Sequence, residues 1–493
     1  MSNYRVIILF VFYSISISFF TKAQENQAHD FTKKIPQEQL LKDFQLLRDA
    51  LEEGHAGLYI YSPKEIMDEI FENVKAEIQQ PMTEIEFFRL LAPLIARIKD
   101  GHTSLSPSES YINYAETAPN RFPFKLKFID NKAYILRNYS DNSNIHHGAE
   151  IISINGRSMN EILQLMFLNT SADGSILTSK YRDLESTNYF GLMYNLLFGE
   201  SLKYKIKYRN SGSEKENEAE IAGANLEKLQ ATFAKRYPKE ASQEDLPIEL
   251  KILDNKNTAI LKITSFNEEL YLINEMEYPD FLEKAFKKLQ SNKIKNLIID
   301  LRNNPGGNDE YGKMLFAYLT NKKFTYYNSL EINRNDFKFL LQTDVANERI
   351  PSYMIEENER GTYQLKNHVN LGEQEPSSPG FDGKLFVLIN GATLSTAGEF
   401  ASVLHYHQKA VFIGEECGSA YYGNTAGFMP ELTLASTQLR LRIPMVRYHL
   451  AVEGYPLFDR GLLPKYEIKY TIENILKSRE SEMEEVMKIL EKV

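Results

Sequence analysis

The stretch KLFVLINGATLSTAGEFASVL, residues 384–404, begins as an apolar and β-branched run, breaks at Asn390-Gly391, and resumes with helical periodicity after Ser395. A buried parallel strand ends in this way where it empties into a loop ahead of a helix. A serine at that point meets the unpaired amides of the first helical turn and the positive end of the helix dipole, an environment that suits a nucleophile. NLIIDLRNNPGG, residues 296–307, repeats the strand-to-loop pattern, and Gly306-Gly307 offers backbone that a reacting group can approach closely. The two loops read together as a nucleophile and half of an oxyanion hole. Each also has a plainer reading: Thr396-Ala397-Gly398-Glu399 fits a T-x-x-E capping box, and Asn-Asn-Pro-Gly-Gly is ordinary turn chemistry.

Outward from these loops, the 493 residues call for two or three domains rather than one core. A net charge of −10, with no Lys/Arg-rich block, argues against nucleic-acid binding. Arg5, an apolar run over Val6–Phe20 and Thr21-Lys22-Ala23 form the layout of a secretory signal peptide over residues 1–23, cleaved after Ala23. The run is short for a membrane span, and no other segment is apolar enough, so no span is expected after cleavage. The expected location is periplasmic or extracellular. A single cysteine, Cys417, rules out an internal disulfide.

Residues 24–106 read as a helical domain: Leu40, Phe44, Leu47 and Leu51, then Ile66, Ile70, Val74 and Ile78, then Phe87, Leu90, Leu94 and Ile98 recur at helical spacing. Thr83 and Glu86 cap the third helix, Gly101 reads as its stop, and His102 is left on a loop. Residues 107–240 read as a β-rich module with a turn at Asn155-Gly156, a helix from about Ser158 and polar sequence before a strand at 201–209. The segment 210–219 reads as a hairpin turn or a linker. Residues 241–493 alternate strands (258–263, 296–301, 385–389, 410–413) with helices (279–289, 311–319, 396–405), which predicts a parallel or mixed sheet. Residues 322–383 form a long polar insertion with weak strand signals, expected to cover a site or to bind a partner. A last amphipathic helix is expected over 472–490.

In order along the chain, IKDGHTSL, GAEIISINGRS, LIIDLRNNPGG, LINGATLSTAGEF and IGEECGSAYYGNTAG resemble the tail-specific, or C-terminal-processing, serine peptidases, most of all the branch that includes the tricorn core protease. HAGLYIY at 55–61 extends the likeness into the first helices. The resemblance implies an α/β fold with a ClpP/crotonase-like core, preceded by the N-terminal helical domain and a PDZ-like β-rich domain. It implies Ser395 as nucleophile, His102 as general base, Glu453 as the carboxylate behind it, and the amides of Gly306 and Thr396 as oxyanion donors. The lysine base of the processing branch has no counterpart, because residues 414–427 contain no lysine or arginine. The tricorn core has a serine before its histidine where this chain has Gly101. Histidine suits the role chemically, since it titrates near neutral pH, and triads do not depend on chain order.

The function expected is a secreted serine endopeptidase acting on peptides or unfolded proteins, without a cofactor; the oligomeric state stays open. A catalytically silent binding protein on the same fold is the alternative, and a crotonase-type acyl-CoA enzyme a third reading. Asp300 and Arg302 are expected to brace their loop as an ion pair. His405 and His407 read as charge partners of the nucleophile helix's C-terminus and not as a zinc site. Glu399 reads as a cap. Cys417 is not expected to be a nucleophile.

Overall fold

The computed structural model describes residues 30–186, 188–241, 246–253, 257–345, 354–359 and 361–491. The expected signal peptide lies outside them. Three helices open the described chain, Gln37–Gly54, Lys64–Glu77 and Glu84–Ile98, the last with the reciprocal Thr83/Glu86 cap. Their apolar faces meet in a common core that includes Leu40, Phe44, Phe71, Phe87 and Leu91. The third helix stops two residues earlier than its glycine suggests: Lys99 takes the left-handed cap at φ 62. Gly101 is therefore not needed as a helix stop.

The next module is an antiparallel sheet of Phe124–Ile129, Lys132–Asn138, Glu150–Ile154, Lys203–Arg209 and Glu216–Ala222. Asn155 and Gly156, at φ 51 and 83, make its tight turn, the geometry that Asn-Gly favours. Residues 210–215 close a hairpin, so they are not a linker. Two helices, Leu177–Glu185 and Tyr189–Phe198, occupy the segment expected to be polar connection. The second is almost wholly apolar and packs Phe190 and Tyr194 against Phe122, Phe128 and Tyr204.

Behind lies a six-stranded sheet in the spatial order Tyr466–Glu467, Ala410–Gly414, Lys384–Ile389, Asn296–Asp300, Thr258–Ile263, Ile248–Leu253, parallel throughout except for the last strand. Strands Asn296–Asp300 and Lys384–Ile389 are neighbours, with Asp300 opposite Leu388. Both signature loops therefore leave the same edge at the carboxyl ends of adjacent strands, where α/β sheets gather ligand chemistry.

Two expectations need correction. The insertion is more than a polar cover: Tyr327–Ile332 pairs with Val446–Leu450 in a second sheet and sends Tyr327, Leu330 and Ile332 into the core. Alternating burial had hidden it, because the outward residues of this strand are polar. The terminal helix is two helices, Ile472–Leu476 and Ser481–Glu491, parted at Ser478, which has φ 52.

The front and rear of the chain are joined by a short antiparallel pair, Ser104–Ser106 with Arg440–Arg442. Leu432, Leu434, Leu439, Leu441 and Ile443 enter the same core as the N-terminal helices. Asp43 fixes this union by accepting hydrogen bonds from the amides of Ser436 and Thr437 and from the Thr437 hydroxyl.

Candidate active site

Ser395 ends the loop after Lys384–Ile389 and stands at the N-cap position of helix Thr396–Tyr406, with φ 51 and ψ −128. A residue with a Cβ is seldom held there; such strain survives only where surroundings impose it. A sharp strand-to-helix turn of this kind lifts a side-chain hydroxyl clear of the helix it precedes. The surroundings are explicit. Asn303 and Asn390 exchange two hydrogen bonds between the signature loops, the Leu394 amide donates to the Asn304 carbonyl, and Thr393 Oγ1 donates to the Leu301 carbonyl. From the other side, the Ser395 amide donates to Ser419 Oγ at 2.6 Å. Gly398 admits that approach, since a Cβ there would lie 2.6 Å from the Ser419 Cβ.

The capping alternative fails in this geometry. The Ser395 side chain makes no capping hydrogen bond, and Thr396 Oγ1 donates to the Gly307 carbonyl at 2.8 Å. Glu399 turns inward, accepting from Tyr327 Oη at 2.6 Å and from Asn424 Nδ2 at 2.8 Å. It is a buried network residue and not a cap. Burial, with Asp309 close by, pushes its carboxyl up to about 7.

The amide of Thr396, first in the helix, has no acceptor among the described residues. Gly306 lies against it: a Cβ on Gly306, which has φ 94, would sit 2.7 Å from Ser395 Cβ and 3.0 Å from the Thr396 nitrogen. The loop thus tolerates only glycine there. The Gly306 amide itself donates to Asn304 Oδ1 at 2.9 Å, so it is occupied, contrary to its expected role as a free donor.

His102 follows the third helix. Asp100 holds its loop by accepting at Oδ1 from the amides of His102 and Thr103 and from Thr103 Oγ1, and at Oδ2 from Thr425 Oγ1. His55, wholly buried, completes the chain: its Nδ1 accepts from the Gly57 amide at 2.9 Å, so Nε2 carries the proton and donates to Thr103 Oγ1 at 2.6 Å. Burial holds His55 below the usual imidazole range. His102 is likewise held low, by burial first and then by Arg442, with Asp100 opposing. Its Nδ1 is buried without a hydrogen-bond partner.

Asp173, from the loop after helix Met159–Leu168, accepts from the Gly101 amide at 2.8 Å and from the Ala420 amide at 3.1 Å. The Ser419-Ala420 pair is therefore held from both sides: Ser419 by the nucleophile loop and Ala420 by the histidine loop. No hydrogen bond joins the Ser395 hydroxyl to the His102 ring among the described residues. A ring nitrogen of His102 and a carboxylate oxygen from each of Asp100 and Asp173 lie within 4.8 Å of one another. That spacing suits a metal ion, yet the Asp100 oxygens already accept four hydrogen bonds, so the trio reads better as a proton-handling cluster.

Glu453 is not brought to His102. It is exposed, accepts a 3.4 Å hydrogen bond from Tyr406 at the far end of the nucleophile helix, and lines a surface cleft with Lys323 and His407. Eleven helical residues, about 16 Å, separate that end from Ser395. The loop after Val446–Leu450 simply runs back along the helix. Asp300 and Arg302 form the expected bidentate pair, extended to Glu480 and Glu482. His405 differs from expectation: it pairs with Tyr421 Oη at 2.8 Å, and burial favours its neutral form. Burial pushes the Cys417 thiol up to about 12, so it is no nucleophile. Beside the site, a cleft of about 440 Å³ is bounded by Tyr61, Ala420, Tyr422, Asn424, Arg447 and Phe458.

His55 and Asp173 had no role assigned from sequence. His55 stands in a noticed motif; Asp173 lies in ordinary loop sequence, and its meaning exists only in three dimensions.

Among curated proteins no sequence matches the chain. Among solved structures, mature CPAF superposes over 92% of this chain and 98% of its own at TM-score 0.60 and 15% identity, and mature CPAF complexed with lactacystin over the same shares at 0.61 and 15%. At that identity the likeness speaks for the fold. The photosystem II D1 C-terminal processing protease aligns more loosely, at TM-score 0.41 and 11% identity over 88% of this chain and 93% of its own. The profile of peptidase family S41 matches residues 257–468, the segment that carries both signature loops, Ser395 and Glu453. Residues 257–468 carry the match to peptidase family S41, and the chain is a serine peptidase.

Proposed function

We propose that the chain is a secreted endopeptidase in which Ser395 attacks the peptide carbonyl, His102 takes its proton and returns it to the leaving amine, and the Thr396 amide binds the oxyanion. The observation that carries this reading is the strained, uncapped Ser395 beside an amide with no acceptor, in loops locked to each other and to the segment that the histidine loop also grips. Gly306 would add a second donor by releasing Asn304. A contact between Ser395 and His102 that tightens only with substrate bound is common in enzymes of this kind. In this reading the α/β unit is the ClpP/crotonase-like core, and the antiparallel module is PDZ-like. Export follows from the signal peptide read at residues 1–23.

Ser395→Ala and His102→Ala are each expected to lower peptide hydrolysis by roughly 10⁴-fold or more while leaving the fold intact. Turnover of an unfolded protein substrate, with circular dichroism as the control, checks this. Unchanged turnover in either variant rejects the assignment. Labelling of Ser395 by a fluorophosphonate separates the peptidase from a silent binding protein.

A further inference from the structure

We propose that Asp173 is the positioning carboxylate of His102, accepting a hydrogen bond from Nδ1 and leaving Nε2 to take the Ser395 proton. The proposal rests on the reading of His102 as general base. Its ground is a set of contacts around one side chain. Asp173 is 5% exposed, and its two oxygens accept one amide each: that of Gly101, next to His102, and that of Ala420, next to the serine that holds the Ser395 amide. One carboxylate thus ties together the loops that bring base and nucleophile.

Capacity separates it from its neighbour. Asp100 lies within the same 4.8 Å but spends its oxygens on His102 and Thr103 amides and on two threonine hydroxyls. Asp173 keeps an accepting position on each oxygen. The complementary need is present, because His102 Nδ1 is buried with no partner, and an unmet buried N–H costs ~1–3 kcal/mol. A ring nitrogen of His102 and an oxygen of Asp173 already lie within 4.8 Å of each other. Gly101 explains the room: a Cβ at 101 would lie 3.1 Å from Asp173 Oδ1. A side chain there would press on this carboxylate. The charged or titratable groups facing the pair are Asp100, Arg442, Glu399, Tyr61 and Cys417. Burial, with Asp100 alongside, pushes the Asp173 carboxyl up to about 7; an imidazolium forming beside it favours the carboxylate again.

The test uses the full chain. Asp173→Asn is expected to lower kcat by on the order of 10²–10⁴-fold with KM changed by less than about threefold. The acid limb of kcat/KM should also move to lower pH, since the imidazolium loses its anion. Asp173→Glu, which keeps the charge, should recover at least about tenfold over Asp173→Asn. Wild-type kcat and an unmoved pH profile in Asp173→Asn overturn the proposal. Because Asp173 also holds two amides, a second measurement avoids the question of folding: ¹⁵N-histidine NMR of the otherwise native Ser395→Ala protein should show His102 protonated at Nδ1. An Nε2–H tautomer overturns the proposal. The spectrum reads this bond even if the wild type proves inactive and Ser395 unlabelled, so failure of the peptidase reading is distinguished from failure of this one.

Discussion

Ser395 shows how strain at one residue is assigned to a function. Its φ of 51 and ψ of −128 suit glycine and penalise any side chain. Ser395→Gly is therefore expected to be more stable than Ser395→Ala by ~1 kcal/mol, because alanine keeps the strain and glycine relieves it, although both lack the hydroxyl. Urea unfolding of the two variants measures the difference; equal midpoints would mean that the turn is unstrained. The sequence supplied this serine because a strand pattern stops and a helix pattern starts around it. It misled on Glu399, whose T-x-x-E spacing is that of a cap, because the same spacing also turns a carboxylate inward, here to Tyr327 and Asn424. It misled on Glu453 too, where a motif position gives no information about which way a loop turns.

At the scale of the element, helix Thr396–Tyr406 is locked from behind by a network that sequence periodicity does not encode. Tyr327 Oη has one hydrogen but lies 2.6 Å from Glu399 Oε2 and 3.2 Å from Asp309 Oδ2. One of the two carboxyls must hold a proton for both contacts to be hydrogen bonds, in keeping with the upward shifts of Glu399 and Asp309. A carboxyl raised from 4.5 to about 7 on folding makes the folded state bind more protons over that interval. Its contribution is full below the unfolded value and is lost as pH rises through about 7. Glu399→Gln should remove that slope, changing the difference in unfolding free energy between pH 5 and pH 7.5 by on the order of 3 kcal/mol. His55 and His102, held low, act in the opposite sense, losing stability as pH falls below the usual imidazole range, and are common to both proteins. Denaturant titrations at the two pH values check this, and parallel slopes would refute it. Of the elements themselves, the parallel strands and their helices were legible to within a residue or two, since continuous apolar runs leave little choice. The insertion strand Tyr327–Ile332 was not, because half of its residues face outward and its partner lies over a hundred residues away.

For the whole molecule, the legible part was the order of helical, β-rich and α/β regions; the illegible part was that the first two share a core with residues 432–445. Nothing local in that stretch announces a partner at the opposite end of the chain. If the β-rich module captures chain ends by strand addition, one unfolded substrate with a free C-terminus should be cleaved faster than its amidated form. Time courses on the two compare this directly, and equal rates would remove tail preference.

The pairing of Ser104–Ser106 with Arg440–Arg442 also bears on timing. In the proposed reading, base and alcohol are synthesised almost three hundred residues apart, and the short ribbon that unites them cannot form until the chain has been made through Arg442. A chain not yet made that far would be harmless to itself and its neighbours, with hydrolytic competence arriving only once its two ends have met.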